Sequence, residues 1–349
     1  MSCVGRTEGG LFTGRGAADN RGVEIALMTA SMLDRPWNAV LDAAVAQGVG
    51  WIEACGGGHI PTLHFDPVLL DSDPDELKRF TASLEERELR LGAFACHGNP
   101  LHPDRRRAES DHEALAATCR VAAELGVGHV NLQAGLPAGG PEDSTPNWIV
   151  NSLFPGLDEI YRWQWEECVL PYWRRAAALA SDAGVILCLE LHPSDVVYNP
   201  ATFMHLREEV GPAIAMNFDP SHLWWQGIDP LAVIEELGDR IATCHVKDVH
   251  LDRARIRREG VLSATAHERW DERPWAFSTP GYGHSEHFWS RFVIALRRVG
   301  YSGTLSIECE DPFLTPDDTF AASVALLRRV LPNDPPPAVD WAATVAFSD

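Results

Sequence analysis

Four short apolar runs in the second half of the chain each end abruptly in polar or charged residues. The runs cover residues 185–189, 213–218, 241–244 and 304–307, and they end, in that order, in Glu190, Asp219, His245 and Glu308. Moving a carboxylate or an imidazole out of water is costly unless a partner or a metal ion is waiting for it. A chain with this pattern is therefore constrained to bring its strand ends together around one polar site.

Composition and charge limit the kind of protein this can be. The chain has 349 residues, of which 45% are hydrophobic and 23% are charged, so it can bury the core of one α/β barrel with insertions. Its net charge of −21 opposes binding to nucleic acid, which depends on Lys and Arg neutralising phosphates. We therefore expect no nucleic-acid partner.

No segment of the sequence indicates a membrane or an oxidising compartment. No apolar run approaches membrane-spanning length, and residues 1–22 lack the basic start and apolar centre of a secretory signal. None of the eight cysteines forms a Cys-x-x-Cys pair, and several fall within predicted strands. We expect a cytoplasmic protein with reduced thiols and no membrane association.

Apolar strand-like runs alternate with amphipathic helical stretches along most of the chain. Eight strands are predicted, over residues 23–28, 50–54, 91–96, 129–133, 185–190, 214–218, 241–246 and 304–308. The stretches between them carry apolar residues three and four apart, and several end in glycine, as helices do. This series of β-then-α units predicts an α/β fold, the (β/α)8 TIM barrel. An open doubly wound sheet is the alternative, but Gly56-Gly57-Gly58 lacks the G-x-G-x-x-G spacing of its dinucleotide-binding turn.

The catalytic barrel domain is predicted over residues 23–331. Residues 1–22 form an N-terminal extension, and residues 332–349 form a Pro-rich C-terminal tail whose apolar end suits docking on the barrel or on a partner chain. Long loops over residues 136–162 and 249–285 follow the fourth and seventh strands. Because loops after strands rise on the face of a barrel that carries active sites, both loops are expected to cover the site.

The four strand-end residues are predicted to bind a metal ion. Parallel barrel strands end together, so Glu190, Asp219, His245 and Glu308 should converge at one mouth of the barrel. Without a cation, three carboxylates in one place would repel one another. Three carboxylates and one imidazole suit Mn²⁺ first, then Mg²⁺, Co²⁺ or Zn²⁺.

Further polar residues near the strand ends are candidates for contacts with a substrate. His222 lies three residues after Asp219, close enough to orient a ligand or to donate to a substrate oxygen. Lys247 is equally compatible with a local ion pair, and a Trp side chain with core packing. The candidates for substrate binding are His192, Lys247, His97, Asn99, His102 and Trp225.

Several motifs make residues 22 to 330 similar to the sugar phosphate isomerase/epimerase superfamily of xylose isomerase-like TIM barrels. The motifs are LELHP at 189–193, NFDPSHLWWQGIDP at 217–230, HVKD at 245–248, GYGH at 281–284 and LSIE at 305–308. The resemblance implies that Glu190, Asp219, His245 and Glu308 bind the metal ion and that the two glutamates also move a proton. It implies a contact with substrate for His222.

Two segments restrict which branch of this superfamily the chain resembles. Ketohexose 3-epimerases carry another Glu a few residues after the first ligand, whereas residues 194–198 read SDVVY here. The loop over 249–285 and the Trp-rich segments instead resemble a branch with catalytic subunits of deglycosidases that act on 3-oxo-glycosides, including C-glycosides. That resemblance implies a keto-sugar or oxidised glycoside as the small-molecule substrate. It also implies a homo-oligomer, with or without a small β-rich second subunit.

Two reactions share one first step, the metal-assisted removal of a proton next to a ketone by Glu190 or Glu308. Return of the proton makes the protein an isomerase or epimerase, whereas loss of a group from the next carbon makes it a lyase of the deglycosidase type. A nuclease of the endonuclease IV kind shares this barrel, but it requires more His ligands and a basic groove. A catalytically silent binding protein is a third class, and the complete ligand set argues against it.

Overall fold

Eight parallel strands close into the barrel that the alternating sequence pattern predicts. The computed structural model of the chain describes residues 22–332, so the predictions for residues 1–21 and 333–349 lie outside the described range. The strands in this range are β1 (Glu24–Met28), β2 (Trp51–Cys55), β3 (Arg90–Ala95), β4 (His129–Leu132), β5 (Ile186–Glu190), β6 (Ile214–Phe218), β7 (Ile241–Val246), β8 (Asp248–Leu251), β9 (Trp275–Ser278) and β10 (Thr304–Ile307). The barrel closes in the order β1-β10-β7-β6-β5-β4-β3-β2, and β8 pairs with β9 outside it. The (β/α)8 TIM barrel is confirmed.

Helices fill the connections between the barrel strands. In residues 22–332 they are α1 (Trp37–Ala46), α2 (Pro67–Ser72), α3 (Pro74–Glu85), α4 (Arg105–Leu125), α5 (Pro155–Trp163), α6 (Leu170–Ala183), α7 (Pro200–Val210), α8 (Ser221–Trp224), α9 (Pro230–Leu237), α10 (Arg253–Glu259), α11 (Glu286–Arg298) and α12 (Pro316–Val330). Short 3-10 turns lie at Thr29–Met32, Gly238–Arg240 and Trp270–Glu272. A π-helical turn over Gln164–Val169 joins α5 to α6. Several helices begin with a proline after a capping side chain, as at Asp73, which accepts from two backbone N–H groups of α3.

The two faces of each barrel strand meet different surroundings, because side chains alternate across a strand. Leu189, Val246 and Ile307 belong to the apolar layer between the strands and the helices, where Trp173 and Trp289 are fully buried. The polar groups of the barrel mouth belong to the residues next to these three in the sequence. The apolar core therefore lies outside the strands, and the candidate site lies at their ends.

The connection after β7, which the sequence predicts as a long loop, holds a folded insertion. It contains the antiparallel pair of β8 and β9 with α10 between them. The buried carboxylate of Asp248 accepts hydrogen bonds of 2.9–3.2 Å from the backbone N–H groups of Gly281, Gly283 and His284. We call this arrangement the Asp248 clamp, because it ties the start of the insertion to its end.

Two expectations from composition can be compared with the structure. No helix within residues 22–332 combines the length and the hydropathy that crossing a bilayer requires. The cysteines in this range are free thiols, most of them buried. This agrees with the prediction of reduced cysteines for the part of the chain that the structure describes.

The Asp248 clamp leaves no space for a side chain at Gly283. A Cβ atom at Gly283 would lie 2.2 Å from the carbonyl oxygen of Val249 and 2.5 Å from Oδ1 of Asp248. We expect Gly283→Ala to lower the free energy of unfolding by about 1–3 kcal/mol in urea denaturation, because packed backbone atoms must move. Gly128→Ala is the matched control, since a Cβ there would meet nothing within 4 Å. Equal destabilisation by the two substitutions would contradict the close approach.

Candidate metal centre

Four potential metal ligands meet at the carboxyl ends of four neighbouring barrel strands. Glu190 ends β5, Asp219 follows β6, His245 lies near the end of β7, and Glu308 follows β10. Each residue offers one ligand atom, and these atoms lie within 4.8 Å of one another. All four side chains are buried. The structure thus brings together the four residues that the strand ends predict.

Burial and neighbouring charges set the charge states of the three carboxylates. Burial would raise the pKa of Glu190, but the hydrogen bond with His222 and the nearby imidazole of His245 hold it well below its ordinary value. Burial would also raise the pKa of Glu308, but Lys247 and His245 together lower it. The pKa of Asp219 is instead raised, chiefly by burial. The protein's own cations therefore do not fully balance the negative charge of this centre.

A buried acid that the sequence analysis missed orients the imidazole of His245. Nε2 of His245 lies 2.9 Å from Oε1 of Glu53, a residue of β2 that is 1% exposed. Nδ1 lies 3.3 Å from Oε1 of Glu308 and 3.6 Å from Oε1 of Glu190, and it has no hydrogen-bond partner. A ligating histidine commonly donates its other ring N–H to a carboxylate in this way. Nδ1 is therefore the atom of His245 that is available to an ion.

The donor set fits a divalent cation. Nδ1 of His245 and Oδ2 of Asp219 are both buried without a hydrogen-bond partner, although Oδ2 also lies 3.1 Å from the ammonium of Lys247. Buried polar atoms are seldom left unpaired unless water or an ion meets them. Carboxylate oxygens with one imidazole nitrogen suit the hard and borderline ions that the sequence predicts. Glu190 and Glu308 would complete the ligand set.

Lys247 is a member of this charged cluster. Its Nζ is buried, lies 3.1 Å from Oδ2 of Asp219 and 3.0 Å from Oε2 of Glu310, and donates a hydrogen bond to Glu308. The ring centroid of Phe277 lies 4.4 Å from the same nitrogen. Burial would lower the pKa of Lys247, but the carboxylates raise it well above its ordinary value. The local ion pair predicted for Lys247 with the adjacent Asp248 is not among the ion pairs of the described residues, in which Lys247 contacts Asp219, Glu308 and Glu310 and Asp248 contacts His284.

His222 connects two of the four ligands. Its Nε2 lies 3.0 Å from Oε1 of Glu190 and 3.2 Å from Oδ2 of Asp219. The half-buried ring of His192 packs against it, with 4.8 Å between the ring centroids. Burial and the neighbouring His222 lower the pKa of His192 to about 3, so this imidazole is neutral at physiological pH. Both residues lie beside the cluster, where the sequence placed them.

Two further candidates for substrate binding lie close to the centre or to its surroundings. His97 follows β3 and is buried, both of its ring nitrogens lack hydrogen-bond partners, and its ring centroid lies 6.5 Å from that of His245. Trp225 is buried and stacks on Trp275 with 5.1 Å between the ring centroids. The geometry leaves His97 available for a ligand and makes Trp225 part of an aromatic wall.

The structure does not bring the polar atoms of Asn99 and His102 to the four ligands. Nδ2 of Asn99 donates to the carbonyl of Leu136 and its Oδ1 accepts from the Leu136 N–H, which ties the loop after β3 to the loop after β4. Nδ1 of His102 accepts from the backbone N–H of Asp104 at the start of α4. The sequence identified the correct loop from its position next to a strand end. In the structure, the polar atoms of both side chains hold backbone groups and do not face the four ligands.

A polar layer inside the barrel also escaped the sequence analysis. The Thr243 hydroxyl lies 2.6 Å from Oδ1 of Asn131 and 3.1 Å from Oδ1 of Asn217. The amide of Asn217 in turn lies 3.1 Å from Nε2 of His245. Thr243 and Asn217 each stand two positions before a ligand, so the two-residue period of a strand could have identified them. This layer supports the ligands from below.

A cavity of about 500 Å³ opens beside the cluster. We call it the aromatic cavity, because its walls include the rings of Trp148, Trp225, Trp275 and Phe277. Its polar lining includes His192, His267, Arg273 and Glu310. It reaches the charged cluster through Phe277 and Glu310, which contact Lys247. Trp148 belongs to the long loop after β4 and Trp275 to the insertion after β7, so both predicted long loops line this cavity.

Comparison with known proteins assigns the family. Residues 41–330 match the family model described as a xylose isomerase-like TIM barrel. That match covers most of the chain, and this protein belongs to the family.

Individual relatives agree with this assignment. The uncharacterized protein YfiH of Bacillus subtilis is 34% identical over 312 residues, which cover 88% of this chain and 99% of YfiH. The inosose dehydratase of Geobacillus kaustophilus is 27% identical over 188 residues, which cover 53% of this chain and 55% of the dehydratase. A crystal structure of the IolI protein with a bound zinc atom has a TM-score of 0.61 at 16% identity and covers 88% of this chain and 98% of that one. This last likeness concerns the fold.

The geometry predicts a single divalent ion per chain. We expect Asp219→Ala to weaken Mn²⁺ binding by at least about 100-fold in isothermal titration calorimetry, since a direct ligand is lost. Glu53→Gln should weaken it by about 10- to 100-fold, because the hydrogen bond that orients His245 changes. Glu310→Ala is the matched control: its carboxylate contacts Lys247 but does not belong to the ligand set. Loss of binding in all three variants alike would contradict the assignment of ligands.

Proposed function

We propose that this protein is a metal-dependent sugar-processing enzyme that removes a proton next to the ketone of a sugar or sugar derivative. The observation that carries the proposal is the presence of two ionised carboxylates, Glu190 and Glu308, in one cluster that suits a divalent ion. Membership of the xylose isomerase-like family and similarity to an inosose dehydratase support a carbohydrate substrate.

Each of the two glutamates has a partner suited to proton transfer. Nε2 of His222 lies 3.0 Å from Glu190, and Lys247 donates a hydrogen bond to Glu308. Because both carboxylates are ionised at neutral pH, either can accept a proton from carbon as the general base. The same carboxylate, now protonated, can return its proton to the neighbouring carbon while the hydroxyl proton moves to the former ketone oxygen, which gives isomerisation. If the other carboxylate first takes up a proton from solvent, it can deliver that proton to the opposite face while the first releases its own to solvent, which gives epimerisation.

The remaining residues of the cluster are proposed to bind and polarise the substrate. An ion held by the four ligands would supply Lewis-acid polarisation of the ketone oxygen, with Mn²⁺ as the first choice and Mg²⁺, Co²⁺ or Zn²⁺ as alternatives. His97, whose ring nitrogens are unpartnered, and His192, which is neutral, are placed to hydrogen-bond substrate hydroxyls. Trp225 contributes an apolar wall.

The size of the aromatic cavity favours elimination as a second candidate reaction. A volume of about 500 Å³ lies in the range of sites for drug-sized ligands and exceeds the needs of one free monosaccharide. The rings of Trp148, Trp225 and Trp275 offer apolar walls to an aglycone. In this reaction the base removes the same proton, the bond to the aglycone breaks, and the aglycone leaves with a proton. A homo-oligomer, with or without a small β-rich second subunit, belongs to this proposal.

The role of Glu308 can be tested by a conservative substitution. Glu308→Gln should retain the fold and reduce turnover by about 100- to 10,000-fold, since a neutral amide cannot accept a proton. The measurement is turnover together with exchange of the substrate C–H for deuterium in ²H₂O. Glu268→Gln, at an exposed position of the insertion, should behave like the unchanged protein. Normal exchange in Glu308→Gln would exclude Glu308 as the base.

A substrate panel separates the two reactions. The Mn²⁺-loaded protein would be incubated with free ketohexoses, inososes and 3-oxo-glucosides that carry a chromophoric aglycone. Rearrangement of the free sugars is expected for an isomerase or epimerase, and release of the aglycone is expected for elimination. Analysis of the purified protein for a copurifying small chain tests the second subunit.

A further inference from the structure

Arg273 is a cation without a carboxylate partner in the wall of the aromatic cavity. Its Nη1 donates to the backbone carbonyl of Thr265, whereas its Nε is buried without a hydrogen-bond partner. Among residues 22–332, no Asp or Glu forms an ion pair with it, although acidic residues far outnumber basic ones in this chain. Burial also lowers the pKa of Arg273, as expected for a guanidinium that has lost water. An unpaired, partly desolvated guanidinium in a cavity wall is suited to bind an anion.

Aromatic stacking holds this guanidinium in place. Its Cζ lies 4.7 Å from the ring centroid of Trp275, and Trp275 stacks on Trp225 at an angle of 14°. A guanidinium stacked on a ring keeps its edges free for in-plane hydrogen bonds. Since Thr265 takes Nη1 and Nε is buried, Nη2 is the guanidinium nitrogen that remains for a ligand.

The extended segment that runs from Arg273 into β9 leads to the charged cluster. Residues 273, 275 and 277 are two apart, so they share one face of the extended chain, and all three line the cavity. Phe277 lies 4.4 Å from Nζ of Lys247, within the cluster. The rise along a strand places the backbone of Arg273 about 13 Å from that of Phe277. A ligand that fills the cavity therefore extends from the cluster toward the guanidinium.

We propose that Arg273 recognises a carboxylate on the substrate, at the end remote from the reacting ketone. This inference depends on the proposed function only for the end of the substrate that reacts. One guanidinium with a single nitrogen left for a ligand, and no other Arg or Lys among the described residues of the lining, suits a monoanionic carboxylate better than a phosphate dianion. Glu310 is paired with Lys247 and does not cancel the charge of Arg273. Burial lowers the pKa of His267, which disfavours a second positive charge in the lining.

Matched acid and amide ligands test this assignment without turnover. Binding of 3-phenylpropionate, 3-phenylpropionamide and phenyl phosphate to the full-length protein would be measured by calorimetry, with and without Mn²⁺. The acid should bind at least about tenfold more tightly than the amide, as expected for a charge-assisted hydrogen bond. Arg273→Gln should abolish this preference, and Arg273→Lys should retain part of it, because lysine keeps the charge but not the planar fork. Arg258→Gln, at an exposed position of the same insertion, should keep the full preference.

The possible results separate the alternatives. Equal affinity of the unchanged protein for acid and amide would overturn the proposal, whatever the variants do. Tighter binding of phenyl phosphate than of the acid would overturn the assignment to a carboxylate in favour of a phosphate. A preference for the acid in a protein that shows no metal-dependent deuterium exchange would reject the proposed reaction and leave the carboxylate site standing.

Discussion

The repulsion among carboxylates buried at one end of the barrel is the constraint on which the rest of the centre depends. Glu53, Glu190, Asp219 and Glu308 are each at most 6% exposed. Two imidazoles and the ammonium of Lys247 lie between them, and each of these three groups contacts at least two acids. The compensation is incomplete, because Asp219 still resists ionisation. A cation at the centre would complete it, and the same charge would lower the cost of forming an anion on a bound ketone.

The barrel separates this chemistry from recognition. The ligands stand on or directly after strands whose backbone is hydrogen-bonded on both sides, so their positions vary little. The aromatic cavity is instead built from connections, chiefly Trp148 after β4 and the insertion after β7. The two parts meet at Lys247, which touches both the acids and Phe277, and at His192, which lines the cavity and packs on His222. The cavity can therefore select a small molecule by its size and charge without any change in the four candidate metal ligands.

The sequence predicted what depends on local pattern and missed what depends on facing elements. The eight barrel strands and four ligands followed from apolar runs and from the charge at their ends. Glu53 was missed because it is one acid inside an apolar run, and only the closure of the barrel brings β2 within reach of His245. Asn99 was misjudged for the opposite reason: its loop reaches the correct face, but its amide is used by Leu136. Hydrogen bonds between residues that lie 37 to 192 positions apart leave no pattern in the local sequence.

The Asp248 clamp bears on how such a barrel can diversify. It joins residue 248 to residues 281–284 at the rim of the barrel, so the intervening stretch begins and ends at one point. Such a stretch behaves as a cassette: it can be lengthened, shortened or exchanged between related proteins while its base keeps the same shape. Because Arg273, Trp275 and Phe277 all lie within it, a single genetic event in this interval would replace that part of the cavity wall together. The wall of the cavity can thereby change between related proteins while the four candidate metal ligands are retained.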